Sequence, residues 1–171
     1  MNQQFFNVTN LEKKADTVIS TVKLLVFSIG KLTLALPVDK VFKVTKYTPI
    51  YGSGMSYVNL AHIGKQEITV VDLHQKLFKI SQDELIGDGG YFVLTKSKQI
   101  SYEETPHTSE ILGIRVVQAP SLVEVPLSEI RTLPRSYRYA DTLEIASHVA
   151  VIPQEDRTTQ TIFILDLESL F

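Results

Sequence analysis

Residues 23–44 have the sequence KLLVFSIGKLTLALPVDKVFKV, and this stretch decides the fold. It begins with an apolar run at 24–29 that is rich in Val, Phe and Ile, continues through a Gly-Lys turn signal at 30–31, and resumes with alternating leucines at 32–36. Pro37 lacks an amide donor and therefore ends the second segment. The stretch predicts a β-hairpin that closes at the proline.

Beyond the hairpin, Val38, Val41 and Val44 recur at a spacing of three, with charged residues between them. Apolar side chains among charges are typical of a protein-binding edge. One face of a strand repeats every two residues, so at least one of the three valines must be exposed or stand at a bend. We expect that valine to be contact surface.

Length, charge and cysteine content limit the class of protein. The 171 residues suit one large domain or two small, closely packed ones, and 44% apolar content is enough for a core. A net charge of −2 provides no general attraction for nucleic acid or anionic lipid. The chain has no cysteine, and no apolar run approaches ~20 residues. We therefore expect a cytoplasmic protein without membrane insertion.

The rest of the chain predicts an all-β, barrel-like fold of nine or ten short strands with short helices. Residues 1–21 show no sustained period, which predicts a flexible N-terminal tail and leaves 22–171 as one domain of two subdomains. The polar segment 96–109 predicts a long exposed connection.

Several local patterns carry more specific predictions. Proline and glycines at 47–54 predict a loop, and the basic and aromatic segment 135–139 predicts another. The apolar segments 111–117 and 122–125, separated by Ala-Pro, predict a strand pair.

Two segments of the chain resemble each other. Residues 68–78 (ITVVDLHQKLF) and 162–171 (IFILDLESLF) both combine an apolar strand, Asp-Leu and a short segment ending in Leu-Phe. Asp72 and Asp166 stand between strand and helix, where we expect each to cap the helix. Duplicated halves and a chance likeness of apolar residues both remain open.

The sequence shows no enzyme signature, metal site or cofactor motif. The histidines are far apart and lack ligand spacing; they are His62, His74, His107 and His148. Asp72 and Asp166 could be paired carboxylates for acid-base chemistry, but capping accounts for both.

One basic and aromatic cluster allows a different function. Arg131, Arg135 and Arg138 are interleaved with Tyr137 and Tyr139, a combination that could stack on and neutralise single-stranded nucleic acid. Arg and Tyr are also enriched at protein interfaces, which favours a protein contact or a solvated loop.

Five motifs, taken together and in order, resemble the CheW family of bacterial chemotaxis adaptors and the homologous regulatory domain of CheA kinases. The resemblance covers residues 23–171 and rests on LLVFSIG at 24–30, LALPVDKV at 34–41, VVDL at 70–73, LGIRVV at 112–117 and ILDLE at 164–168.

This resemblance implies a fold of two intertwined five-stranded SH3-like β-barrels without catalytic activity. It implies an adaptor that couples a chemoreceptor-like sensor to a CheA-type histidine kinase, with control of pili as one output, and no binding of nucleic acid. It also implies a monomer or weak self-association. By position, Val38, Val41 and Val44 match the family's first-barrel binding edge. Leu112, Ile114 and Val116 match a second-barrel strand near the receptor groove.

The chain departs from the family pattern at one motif. Family members carry Asn-x-Arg-Gly ahead of the Val-x-Asp-Leu strand, whereas here residues 62–65 are HIGK, which places Gly64 where the arginine is expected. The resemblance therefore identifies a divergent member.

Overall fold

The computed structural model describes residues 18–55, 57–97, 110–140 and 143–170. Most of these residues lie in strands, as the sequence predicts. The strands are β1 Thr21–Ile29, β2 Leu32–Pro37, β3 Val41–Lys46, β4 Ile50–Met55, β5 Val58–Ile63, β6 Gln66–Val71, β7 Tyr91–Ser97, β8 Glu110–Val116, β9 Ser121–Pro126, β10 Ile130–Thr132, β11 Ala146–Pro153 and β12 Thr159–Leu165.

Helices in the described part of the chain are short. They are α1 Leu73–Phe78, α2 Gln82–Ile86 and α3 Arg135–Ala140, with 3-10 helices at Val38–Lys40, Leu127–Glu129 and Leu167–Leu170. Most of the predicted tail, 1–17, and most of the predicted connection, 98–109, lie outside the described residues, as does His107.

The strands form two curled, six-stranded sheets. The first has the order β10-β11-β12-β2-β1-β9 and the second the order β3-β7-β8-β6-β5-β4. The first sheet contains the hairpin β1-β2, and its strand β2 pairs in parallel with β12. The second sheet contains the hairpin β7-β8, and its strand β8 pairs in parallel with β6. The second sheet is formed by the continuous series β3 to β8, which lies in sequence between the two parts of the first sheet, β1-β2 and β9 to β12.

The core of the described residues has three parts. One cluster lies within the first sheet around Leu24, Val26 and Ile162. A second lies within the second sheet around Ile68 and Phe92. The largest lies between the sheets and contains alternate residues of both hairpins: Leu25, Phe27, Ile29, Leu34, Leu36, Val93, Leu112, Ile114 and Val116.

The opening stretch is continuously apolar because both faces of its hairpin are buried. Leu24 and Val26 point into their own sheet, whereas Leu25 and Phe27 point into the core between the sheets. Strands that are covered on both faces lose the alternation of polar and apolar residues.

Three local predictions are wrong. Segments 111–117 and 122–125 are strands but do not pair with each other: β8 pairs with β6 and β7, and β9 pairs with β1. The predicted loop at 47–54 contains β4, an edge strand whose register shifts between Gly52 and Met55. Glycines and a preceding proline are compatible with an irregular edge strand. The predicted loop at 135–139 is the helix α3.

The two similar segments occupy equivalent places, β6 with α1 and β12 with the 3-10 helix that follows it. Asp72 accepts a hydrogen bond from the Gln75 N–H at 3.0 Å, and its second oxygen accepts from the Gln82 N–H at 2.7 Å. Asp166 accepts from the Glu168 N–H at 3.2 Å and from the Ser169 hydroxyl at 2.9 Å. Asp72 therefore holds the starts of two helices, whereas Asp166 holds one turn.

This difference predicts unequal costs for losing the two carboxylates. Asp72→Ala removes a cap and leaves a second buried N–H without its acceptor, so we expect the free energy of unfolding to fall by about 2 kcal/mol. Asp166→Ala at a more exposed position should cost about 0.5 to 1 kcal/mol. Urea unfolding of both variants measures the difference, and equal losses would contradict the double role of Asp72.

Candidate functional site

The valine-containing edge is formed by a 3-10 helix and β3, an edge strand that pairs with β7. Val38 and Val44 are each 37% exposed, whereas Val41 packs against the core between the sheets. A register shift between Val41 and Lys43 inserts one extra residue. Val41 and Val44 lie opposite alternate residues of β7 and so share one face. The bulge therefore allows two valines that are three residues apart to lie on the same face of one strand.

Phe42 is the extra residue of this bulge, and its side chain is 52% exposed. The Lys96 Nζ lies 5.1 Å from the centre of the Phe42 ring. We use the name β3 rim for the exposed residues of this edge, on both faces of β3. It consists of the apolar residues Val38, Phe42 and Val44 and the exposed lysines Lys40, Lys43, Lys46 and Lys96. The valine pattern alone did not identify Phe42, because strand alternation places it on the face opposite Val41.

The structure does not support direct partner contact by the other predicted set. Leu112, Ile114 and Val116 are 2%, 0% and 0% exposed and belong to the core between the sheets. Their strand, β8, is covered by a neighbouring strand on each side. This placement corrects the expectation of a surface role, because these side chains help to hold the two sheets together.

A buried arginine fixes the connection between α2 and β7. The Arg115 side chain is fully buried, pairs with the Asp83 carboxylate and donates to the Gly87 carbonyl. Its guanidinium lies 4.3 Å from the centre of the Tyr47 ring, and the Gln82 amide donates to its backbone carbonyl at 3.0 Å. Burial, the largest influence, raises the pKa of Tyr47. No spacing rule in the sequence pointed to this cluster.

Comparison with known proteins establishes the family. The family model for the CheW-like domain matches residues 23–171. The chain belongs to the CheW-like domain family. Among solved structures, the scaffolding protein TtCheW from Thermoanaerobacter tengcongensis is similar over 89% of this chain and 88% of its own, with a TM-score of 0.65 and 16% identity. A comparison with curated proteins gives no match.

This result confirms the resemblance and the CheW-like fold, with SH3-like β-barrel halves. Each described sheet has six strands where five were expected; short strands such as the three-residue β10 contribute to this count. The expected intertwining corresponds to the insertion of the whole second sheet, in sequence, between the two parts of the first.

The turn between β5 and β6 contains Gly64, which the sequence comparison places where the family motif has arginine. Gly64 adopts a φ of +62°, a conformation that favours glycine. Ile63, the residue before it, packs against the core of the second sheet. The role of Gly64 in partner binding stays a prediction.

The alternative nucleic-acid cluster has only part of its charge free. Arg131 and Arg135 are exposed, but the Arg138 guanidinium donates to the Glu144 carbonyl at 3.0 Å and lies 3.9 Å from the Asp166 carboxylate. Arg138 thus holds α3 against the C-terminal turn. The side chain of Tyr139 lies outside the described residues.

Two features are absent from the described ranges. No group of three or more His, Asp or Glu side chains in these ranges could hold a metal ion. No helix in the same part of the chain is both long and apolar enough to cross a bilayer.

Proposed function

We propose that this CheW-like domain is a non-catalytic adaptor that couples a chemoreceptor-like sensor to a CheA-type histidine kinase. Family membership and the scaffolding role named for TtCheW support this proposal. The β3 rim carries it, because it exposes Phe42 and Val44 on an edge strand whose backbone is fixed by β7, and Val38 on the 3-10 helix before that strand. The adaptor works in the cytoplasm by binding alone, as a monomer or with weak self-association, in a chemotaxis-like pathway such as one that controls pili.

An adaptor needs a rigid body that presents separate contact surfaces. The core between the sheets supplies the rigidity, since it contains side chains from both hairpins and from the segments after β6 and β12. Separating the two sheets would expose this core to water. A partner bound to one barrel is therefore held in a fixed orientation relative to the other barrel.

Variants of the β3 rim test this proposal. Val44→Asp should weaken binding of the regulatory domain of a CheA-type kinase, or of the receptor tip, by more than ~30-fold. The change should lower the free energy of unfolding by about 1 kcal/mol or less, because Val44 is partly exposed. Titration calorimetry and thermal unfolding measure the two quantities. Val41→Asp should mainly impair folding, because Val41 packs against the core.

Leu122→Asp is the matched control. Leu122 is 66% exposed on β9 and lies opposite the buried Leu25 of the neighbouring strand. Val44 lies opposite the buried Val93 in the same way in the other sheet. We expect this variant to keep the affinity that Val44→Asp loses. If Leu122→Asp weakens binding and Val44→Asp does not, the contact belongs to the other barrel. If neither the kinase regulatory domain nor the receptor tip binds the wild-type chain, the adaptor role is contradicted.

A further inference from the structure

We infer that the β3 rim receives an acidic, amphipathic segment of its protein partner, and that Phe42 anchors this contact. The inference rests on the proposed adaptor role in taking the rim as the partner surface, and it adds the chemistry of the partner. It also assigns a binding role to Phe42, Lys43 and Lys96.

The positive charge of the rim indicates a negatively charged partner. Lys40, Lys43, Lys46 and Lys96 are exposed around the apolar side chains, and Asp39 is the one carboxylate within 38–46. The whole chain has a net charge of −2, so this positive surface is a local concentration and does not follow from a basic composition. Complementary charge at an interface selects the partner and speeds encounter.

The apolar part of the rim gives the shape of the partner. Phe42 stands on a bulge, a feature that redirects side chains at functional edges, and it is more exposed than the valines on either side of it. Aromatic side chains with apolar neighbours are typical anchors of protein interfaces. Val38 and Val44 flank Phe42 in sequence and are also exposed. Phe42, with Lys96 beside it, fits a segment that has an apolar face with acidic residues next to it, whereas Val44 lies on the opposite face of β3.

A protein segment fits this surface better than nucleic acid does. Proteins that bind single strands stack successive bases on several aromatic rings, whereas the rim offers one ring and two valines. Aliphatic side chains contribute little to contacts with phosphate, and phosphate contacts dominate nucleic-acid affinity. Exposed valines are instead explained by burial against another apolar surface.

Designed peptides test the inference on the full chain by fluorescence anisotropy. The probe is a helical peptide with leucines on one face and glutamates on the other. A scrambled peptide of the same composition and a peptide with lysines in place of glutamates serve as controls. We expect the acidic amphipathic peptide to bind at least about tenfold more tightly than either control.

Variants of the chain locate the peptide. Phe42→Ala and Lys43→Glu should each weaken binding of the acidic peptide at least about tenfold, and Lys43→Glu should improve binding of the lysine peptide. Lys65→Glu is the matched control for charge, because Lys65 is exposed in the turn between β5 and β6, and it should bind as the wild type does. Phe42→Leu should retain most of the affinity that Phe42→Ala loses.

The possible outcomes separate this inference from the adaptor role. Equal binding of the three peptides, or binding that is insensitive to Phe42→Ala and Lys43→Glu, would overturn the inference. Tighter binding of a single-stranded oligothymidylate than of the acidic peptide, weakening steeply with salt, would assign the rim to nucleic acid and also overturn it. Selective binding of the acidic peptide without capture of the kinase or receptor domain would support the rim chemistry and contradict the adaptor role. Capture of the kinase or receptor domain without selective binding of the acidic peptide would support the adaptor role and contradict the rim chemistry.

Discussion

Gly90→Ala should lower the free energy of unfolding by about 3 to 5 kcal/mol. Gly90 has a φ of +86°, and a Cβ at this position would lie far inside contact distance of the Val116 carbonyl oxygen and 3.2 Å from its carbon. These atoms are backbone at the end of β8, so they cannot move aside as a side chain would. The steric cost therefore adds to the cost of the left-handed backbone conformation.

Gly64→Ala is the matched control for Gly90→Ala. Gly64 has a φ of +62° but has no atom within 4 Å of the position that a Cβ would take. Alanine there should cost about 1 kcal/mol, from the backbone conformation alone. Thermal and urea unfolding of both variants measure the difference. Similar losses would mean that the contact with β8 relaxes and that conformation accounts for the whole effect.

Arg115→Ala should lower the free energy of unfolding by about 3 kcal/mol, or the melting temperature by about 6 to 12 °C. The substitution removes the partner of Asp83, the donor to the Gly87 carbonyl and the group packed on the Tyr47 ring, and it leaves a cavity. Asp83 is about half exposed, so its carboxylate can be solvated after the loss, which keeps the cost below that of a fully buried ion. The α2 connection should loosen before the sheets do.

Two further variants separate charge from packing at Arg115. Arg115→Met fills most of the space without donating hydrogen bonds, and we expect it to recover only part of the lost stability. Asp83→Asn keeps an acceptor but removes the negative charge, and it should cost about 1 to 2 kcal/mol. Hydrogen exchange of the amides in α2 reports on local opening. Full recovery by methionine would show that packing alone accounts for the effect.

The sequence predicted the features that depend on neighbouring residues. The hairpin at 23–37 follows from its apolar run, its Gly-Lys turn and Pro37, and the structure has strands on both sides of that turn. Asp72 was predicted to cap a helix because a short polar side chain after a strand can accept an N–H of the next turn. Its second bond, to Gln82, could not be predicted, because it joins residues that are distant in sequence and brought together by folding.

The candidate site shows the same division. The valines at 38, 41 and 44 marked the right edge, but the pattern could not show that a bulge puts Val41 and Val44 on one face and exposes Phe42. The segment at 112–116 matched a family motif, and yet its apolar side chains face the core between the sheets. The sequence pattern does not distinguish an apolar residue at a binding surface from one in a core, because both types of site favour the removal of apolar surface from water.

By itself, the sequence determined the strand-rich class, the first hairpin, the two Asp-Leu turns and the resemblance to the CheW family. Tertiary structure alone decided the pairing of the strands beyond that hairpin that the sequence misassigned, since β8 and β9 are separated by four residues and lie in different sheets. It also decided the burial of Arg115 and the placement of Lys96 beside Phe42. Turns and strands follow from local conformational preferences, whereas pairing and burial follow from the most favourable way of removing apolar surface of the whole chain from water.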